Sequence, residues 1–322
     1  LTLAVGNYDH VRDFTSGKVK AAGIEITYLD QDHRETFYRF VRFREWDISE
    51  MSMAKYVAMR SQDDTSLVAI PVFPSRIYRL SAVYVKSGSP IAKAADLAGK
   101  RIGIPEWAQT AVIYARGWLA HDMGVDLTSI DWYQAGIHSS GRLEFADLRL
   151  PKGVRLTPVP ESSLDEMLSK GDIDAVIAAS PPSPFFEGSA VHLIDNFRAV
   201  EEAYWEKTGI FPIMHVIAIR REVVDRHPWV PKNILNAFEE AKRNSLRRFL
   251  DAGCSWFPLP LGYAYADEAR ERYGADFWPY GVEANRITLE AFCRYAFEQG
   301  VCHRQLTVEE LFPESVQSSG VT

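Results

Sequence analysis

The feature that most constrains this 322-residue chain is an apolar run that arrives late. PIMHVIAI, residues 212–219, is β-prone. It follows two complete series of short β-prone runs alternating with helical segments, and only helical segments come after it. The first series has β-prone runs at 1–5, 24–29, 46–51 and 67–72, with a helix or turn region at 11–23. Its helical segments lie at 34–44, where Phe37, Phe40, Val41 and Arg44 share helical spacing, and at 52–60, where Ser52 is placed as a cap. The second series has β-prone runs at 80–85, 101–104, 132–133, 156–159 and 175–179, with helices at 110–122 and 163–170. Such an order builds largely parallel sheets covered by helices. A late strand that returns after the second series predicts an α/β protein of two lobes linked by two crossovers. The division is residues 1–85 with 206–322 as lobe 1, and 86–205 as lobe 2. A ligand cleft is expected between the lobes, lined by loops at the carboxyl edges of the sheets. The final third reads as helices at 221–226, 231–250, 263–272, 287–299 and 308–312. Thr307 and Glu310 there show capping-box spacing, and the polar tail from 313 is expected to fray.

Composition excludes several classes. The formal net charge of −7 argues against a general nucleic-acid binder, although a few local arginines can still hold a small anion. No stretch approaches the ~18 apolar residues of a membrane span, so no membrane partner is expected. Cys254, Cys293 and Cys302 form no CxxC pair and read as free thiols of a reducing, cytoplasmic compartment. The opening LTLAVGNYD reads as a strand and turn rather than a signal peptide. No HExxH, Walker A, GxSxG or GxGxxG motif is present, and the glycines of GKRIGIP have the wrong spacing for a dinucleotide site. No cofactor or metal is predicted, while available His and Glu side chains leave a divalent ion open. The helical final third offers surface for a homo-oligomer.

The densest chemical constellation is PVFPSRIYR, residues 71–79. Arg76 and Arg79 follow a strand end with Ser75 beside them, and Phe73 and Tyr78 supply aromatic walls. An arginine fork matches a carboxylate, although an arginine in this position can equally cap a helix or pair with a surface acid. In IPEWAQT, residues 104–110, Glu106 and Gln109 could contact a ligand and Trp107 could stack on it. A glutamate there also simply suits a helix start. His215, inside the late strand, is either a satisfied core residue or a proton carrier facing the cleft. His138 lies on a Gly/Ser-rich segment. The remaining histidines, His10 among them, show no partner pattern and are expected at the surface. Tyr8, Asp9, Ser49, Glu50, Ser52 and the run 278–286, which opens with Trp278, are either turn chemistry or cleft lining.

The segments LAVGNYD (3–9), WDISEMSMAKY (46–56), AIPVFPSRIYR (69–79), RIGIPEWAQTA (101–111), TGIFPIMHVIAI (208–219) and WPYGVEANRITLEAF (278–292) together resemble the 4,5-dihydroxyphthalate decarboxylase family. That family looks like an enzymatic offshoot of the type II periplasmic solute-binding fold. The resemblance implies two α/β lobes, a small aromatic carboxylate clamped between them, a cytoplasmic location and non-oxidative release of CO₂. Such a reaction needs a cation for the carboxylate that stays, an acid to protonate the ring, and an acceptor at the phenol. Arg76 and Arg79 suit the first role. His215 suits the second, with Glu106 as its alternate, and Glu50 or Asp9 suits the third. Phe73, Trp107 and Trp278 are candidates for an apolar wall around the leaving carboxylate. The competing reading is a solute-binding protein that delivers a small carboxylate to a transporter.

Overall fold

The two series of strands form two sheets. The structure is a computed structural model that describes residues 1–317, the side chains of residues 33 and 34 excepted. Residues 318–322 of the polar tail lie outside the described residues. The first series supplies β1 (Thr2–Ala4), β2 (Thr27–Leu29), β3 (Ile48–Ser52) and β4 (Leu67–Ile70). The second supplies β5 (Val83–Lys86), β6 (Arg101–Ile104), β7 (Asp131–Gly136), β8 (Arg155–Ser163), β9 (Ala175–Ile177) and β10 (Ala190–His192), and the late run becomes β11 (His215–Arg220). Among the described residues the sheet orders are β2-β1-β3-β11-β4 and β10-β5-β9-β6-β7-β8.

Register places the late strand. β11 lies antiparallel between β3 and β4, with His215 opposite Ser52 and Ile217 opposite both Glu50 and Ile70. β1, β3 and β4 therefore run the same way, and their carboxyl ends share one edge with the start of β11. In the second sheet β5 is the antiparallel insert, between β10 and β9, while β6, β7, β8 and β9 are parallel. A lobe boundary at residue 85 would therefore cut β5. All four residues of β4 and the central four of β11 are buried, as expected for strands covered on both faces.

The helices follow their patterns. Met53–Ser61 starts at Ser52, whose hydroxyl accepts the Lys55 N–H at 3.5 Å. Leu164–Lys170 starts at Ser163 in the same way. Thr110–His121 is buried almost all round because Met53–Ser61 and Arg286–Glu298 pack against it. Gly117 permits that approach, since a Cβ there would stand 2.5 Å from the Tyr295 ring. Two departures from pattern are instructive. The expected helix at 308–312 is a turn. Glu310 does accept the Thr307 N–H at 2.8 Å, but Pro313 leaves room for little more than one turn. The region 190–208, which carries no clear periodicity, forms β10 and the helix Phe197–Thr208. There Glu201 is buried because it accepts both the N–H and the hydroxyl of Ser81, each at 3.0 Å.

Candidate active site

The edge shared by β1, β3, β4 and the start of β11 gathers titratable groups. With His215 opposite Ser52, its diagonal neighbour on the same face of β3 is Glu50. The imidazole Nδ1 meets the Glu50 carboxylate at 2.6 Å. Glu50 is 1% exposed, and its other contacts are all donors. The Gly6 N–H reaches one oxygen at 2.9 Å and the Tyr8 hydroxyl donates to the other at 2.7 Å. Burial by itself would raise the carboxyl pKa. The hydrogen bond and charge of His215, with the Gly6 and Tyr8 donors, outweigh it and hold Glu50 below its ordinary value. Burial and the Glu50 charge push the Tyr8 phenol far up, so it stays a donor. The His215 side chain keeps 21% exposure, so it meets solvent where Glu50 does not. Phe37 packs edge-on against its ring at 4.7 Å.

Residues around this pair complete the edge. The Ser75 hydroxyl bonds to Tyr8, and the Ser75 carbonyl accepts the N–H groups of Met214 and His215. His10 belongs to the same cluster rather than to the surface, its ring 5.4 Å from that of Tyr8 and 5.3 Å from that of Trp278. Burial lowers its pKa to about 4. Trp278 is partly exposed and donates its indole N–H to the Phe73 carbonyl at 3.2 Å. The Phe73 ring itself is fully buried against Phe312 and faces the core.

The two arginines separate. The crossovers 71–82 and 208–214 run side by side, joined by an antiparallel bridge between Arg76 and Ile213. Arg76 is buried in that hinge, donating to the carbonyls of Pro279 at 3.1 Å and Phe211 at 2.7 Å, with its guanidinium 4.1 Å over the Phe211 ring. It holds the crossovers together. Arg79 is only partly buried and spans the lobes, donating to the Ala179 carbonyl just past β9 at 3.0 Å. Burial lowers the pKa of each to about 10, so both remain cationic at neutral pH.

The remaining candidates point elsewhere. Asp9 turns toward Val230–Phe249, where it accepts from Ser245 at 2.5 Å and pairs with Arg248 at 3.2 Å. Trp107 is fully buried, its N–H on the Gln299 carbonyl at 2.7 Å and its ring 3.7 Å from the Arg116 guanidinium. Glu106 lies two residues past the end of β6 in the second sheet, and its oxygens are taken by Arg142 at 2.7 Å and Lys55 at 3.0 Å. Lys55 also holds Glu144 at 3.0 Å. Ser52 meets Thr110 across the lobes at 3.0 Å, and Gln109 keeps a buried side-chain oxygen without a partner. His138 forms a separate cluster on the second lobe, with Nδ1 2.9 Å from Asp165 and 3.3 Å from the Ser183 hydroxyl. Among the described residues no group of three His, Cys, Asp or Glu side chains is arranged to hold a metal ion.

Reading His10 from sequence required knowing that the turn after β1 folds inward, since no local spacing marks it. The Glu50–His215 pair required the register of β11, which neither strand's sequence states alone.

Two lobes, each built on a sheet with one antiparallel insert, define the fold of the periplasmic solute-binding proteins. The periplasmic aliphatic sulphonate binding protein SsuA from Escherichia coli superposes with a TM-score of 0.57, 11% identity and 98% of both chains covered. The alkanesulfonate-binding protein SsuA from Xanthomonas axonopodis pv. citri does so with 0.53, 12% and 97% of each. At that identity the likeness concerns the fold alone. No family model matches the chain. A 4,5-dihydroxyphthalate decarboxylase of Comamonas testosteroni is 35% identical over 322 residues, 99% of this chain and 98% of that protein. One of Pseudomonas putida is 38% identical over 189 residues, 58% of this chain and 73% of that protein. The chain belongs to the 4,5-dihydroxyphthalate decarboxylase family.

Proposed function

We propose that this protein is a carboxy-lyase that converts 4,5-dihydroxyphthalate to protocatechuate and CO₂ without a redox step. The observation that carries the reading is the Glu50–His215 pair, a buried carboxylate holding a partly exposed imidazole at the edge between the lobes. The ring hydroxyl para to the departing carboxylate pushes electron density onto the carbon that bears the carboxylate. His215 delivers a proton to that carbon. The bond to the carboxylate then breaks, its electrons restore the aromatic ring and CO₂ leaves. One proton is consumed for each CO₂ released.

Each group has a part that its surroundings support. Glu50 stabilises the imidazolium and fixes the ring through Nδ1. Glu106 is poorly placed to carry a proton because both of its oxygens are engaged, by Lys55 and Arg142. Arg79 supplies the cation for the carboxylate that stays, and it joins both lobes around the ring. General acid catalysis supplies about 10²–10⁴-fold, and positioning between the lobes supplies the rest. The reading extends to a cytoplasmic location, as the family resemblance implies; cell fractionation tests that part.

The test is direct. The protein is mixed with 4,5-dihydroxyphthalate, and CO₂ release and the ultraviolet change to protocatechuate are followed. Turnover is expected. Saturable binding with no CO₂ would replace the enzyme with a carboxylate-binding protein.

A further inference from the structure

We propose that His10 recognises a hydroxyl group on the substrate ring and thereby sets the preference for hydroxylated over unsubstituted aromatic dicarboxylates. The inference rests on the reading above for the identity of the ring, and on the geometry around His10 for the rest.

The His10 ring hydrogen-bonds the Pro74 backbone. A proline backbone offers only a carbonyl, so the imidazole donates there. Nε2 is buried and has no hydrogen-bond partner, so the bond to Pro74 belongs to Nδ1. That bond fixes the tautomer: Nδ1 carries the hydrogen, and Nε2 is a lone pair seeking a donor. Burial keeps the ring neutral at physiological pH, so it does not attract a carboxylate by charge. Neighbouring donors are already spent. The Tyr8 hydroxyl donates to Glu50 and the Trp278 indole N–H donates to the Phe73 carbonyl. A buried acceptor without a donor is costly, and such an atom beside a site is a place for a ligand group.

The ligand chemistry follows from what a donor-seeking atom can accept. Both carboxylates of a phthalate are ionised at neutral pH and have no hydrogen to give. The ring hydroxyls are the donors the substrate carries. The aromatic surroundings of His10, Tyr8 at 5.4 Å and Trp278 at 5.3 Å, suit an aromatic ring. One internal competitor exists. The Tyr280 hydroxyl is also buried without a partner, and its ring lies 6.4 Å from that of His10. If Tyr280 serves Nε2, substrate discrimination will not depend on His10.

Two substitutions separate the nitrogens. His10→Asn places an amide near Nδ1, keeps a donor for Pro74 and removes the acceptor at Nε2. His10→Gln places an amide oxygen near Nε2. Affinities of both variants, of Tyr280→Phe and of the unaltered protein are measured by calorimetry for 4,5-dihydroxyphthalate and for phthalate. His10→Asn is expected to weaken binding of the dihydroxy compound by about ten- to a hundred-fold, with phthalate affinity unchanged. His10→Gln should retain most of the preference, and Tyr280→Phe all of it. Equal behaviour of the two His10 variants, or loss of the preference in Tyr280→Phe alone, overturns the proposal. Circular dichroism melts confirm that each variant is folded. Turnover by the unaltered protein is scored separately. Turnover with an indifferent His10 sinks this inference alone. A His10-dependent preference without turnover sinks the decarboxylase reading alone.

Discussion

Glu50, inside β3, and Glu106, two residues past the end of β6, are both buried carboxylates, and their partners make them different instruments. Glu50 is surrounded by a backbone N–H, a phenol and an imidazole. Glu106 is held by the ammonium of Lys55 and the guanidinium of Arg142. A carboxylate paired with histidine can help move a proton. A carboxylate saturated by lysine and arginine can only fasten one part of the molecule to another. Lys55 follows β3 and Glu106 follows β6, so what that second cluster fastens is lobe to lobe. The same division runs through the arginines, where Arg76 closes the hinge on backbone carbonyls and Arg79 reaches across it.

The hardest test of this contrast exchanges charge for amide at each glutamate in turn. Glu50→Gln should lower kcat by about 10²–10⁴-fold with a small change in KM, and His215→Asn should do the same while binding survives. Glu106→Gln should leave kcat within a few-fold. If steady-state kinetics show Glu106→Gln to be as damaging to kcat as Glu50→Gln, the contrast is wrong.

The arginine contrast comes next in size. Arg79→Ala should raise KM by about ten- to a hundred-fold, since a charge-assisted contact to a carboxylate is worth roughly 1.5–3 kcal/mol. Arg76→Ala should instead lower stability by about 2–4 kcal/mol, because a buried guanidinium and its two carbonyl partners are lost from the hinge. Denaturant unfolding and KM measured on both variants check the division. An unchanged KM in Arg79→Ala removes that residue from the site.

Much of this could be read in the chain, and the misses have a common cause. Alternating β-prone and helical runs carry the two-lobed architecture because each run reports its own burial. His215, Glu50, Arg79 and Ser75 stand out in the sequence as polar side chains in or just after β-prone runs, and Trp278 as the start of an aromatic run that could line the cleft. What a sequence cannot state is which of two faces a turn presents. Asp9 and His10 are adjacent, yet Asp9 turns to the helix carrying Ser245 and Arg248 while His10 turns to the site. Trp107 follows a strand as a ligand-stacking residue would, and it goes into the core because Arg116 and the Gln299 carbonyl are waiting there. Arg76 and Arg79 look equivalent three residues apart, and only the second crossover decides that one of them is spent.

Lys55 offers a gentler probe of the fastening cluster. Lys55→Met leaves Glu106 with Arg142 but strips Glu144 of its cation, so a loss of roughly 1–3 kcal/mol is expected, together with a KM increase larger than any change in kcat. Chemical unfolding and steady-state kinetics read both, and a kcat effect without a KM effect would mean that Lys55 serves the chemistry and not the closure.

The smallest effect is the dependence of stability on acid, and its sign can be worked out. Burial by itself raises the Glu144 pKa, but the Lys55 charge and the N–H groups of Ala108 and Ala146 outweigh it and leave the carboxyl below its ordinary value of 4.5. A depressed carboxyl pKa means that the unfolded chain binds the proton more readily. The stabilisation is therefore fully present above pH 4.5 and is lost as pH falls through the lower folded value. Glu144→Gln should flatten this acid limb in melting temperature, and it should do little at pH 7 beyond the loss of the ion pair. Glu50 obeys the same sign, since its carboxyl is also held below its ordinary value. Protonating Glu50 breaks the pair that carries the proposed chemistry, so activity should fail reversibly on the acid side before the fold does. Melting and activity profiles that coincide at every pH would show that the two glutamates are doing one job.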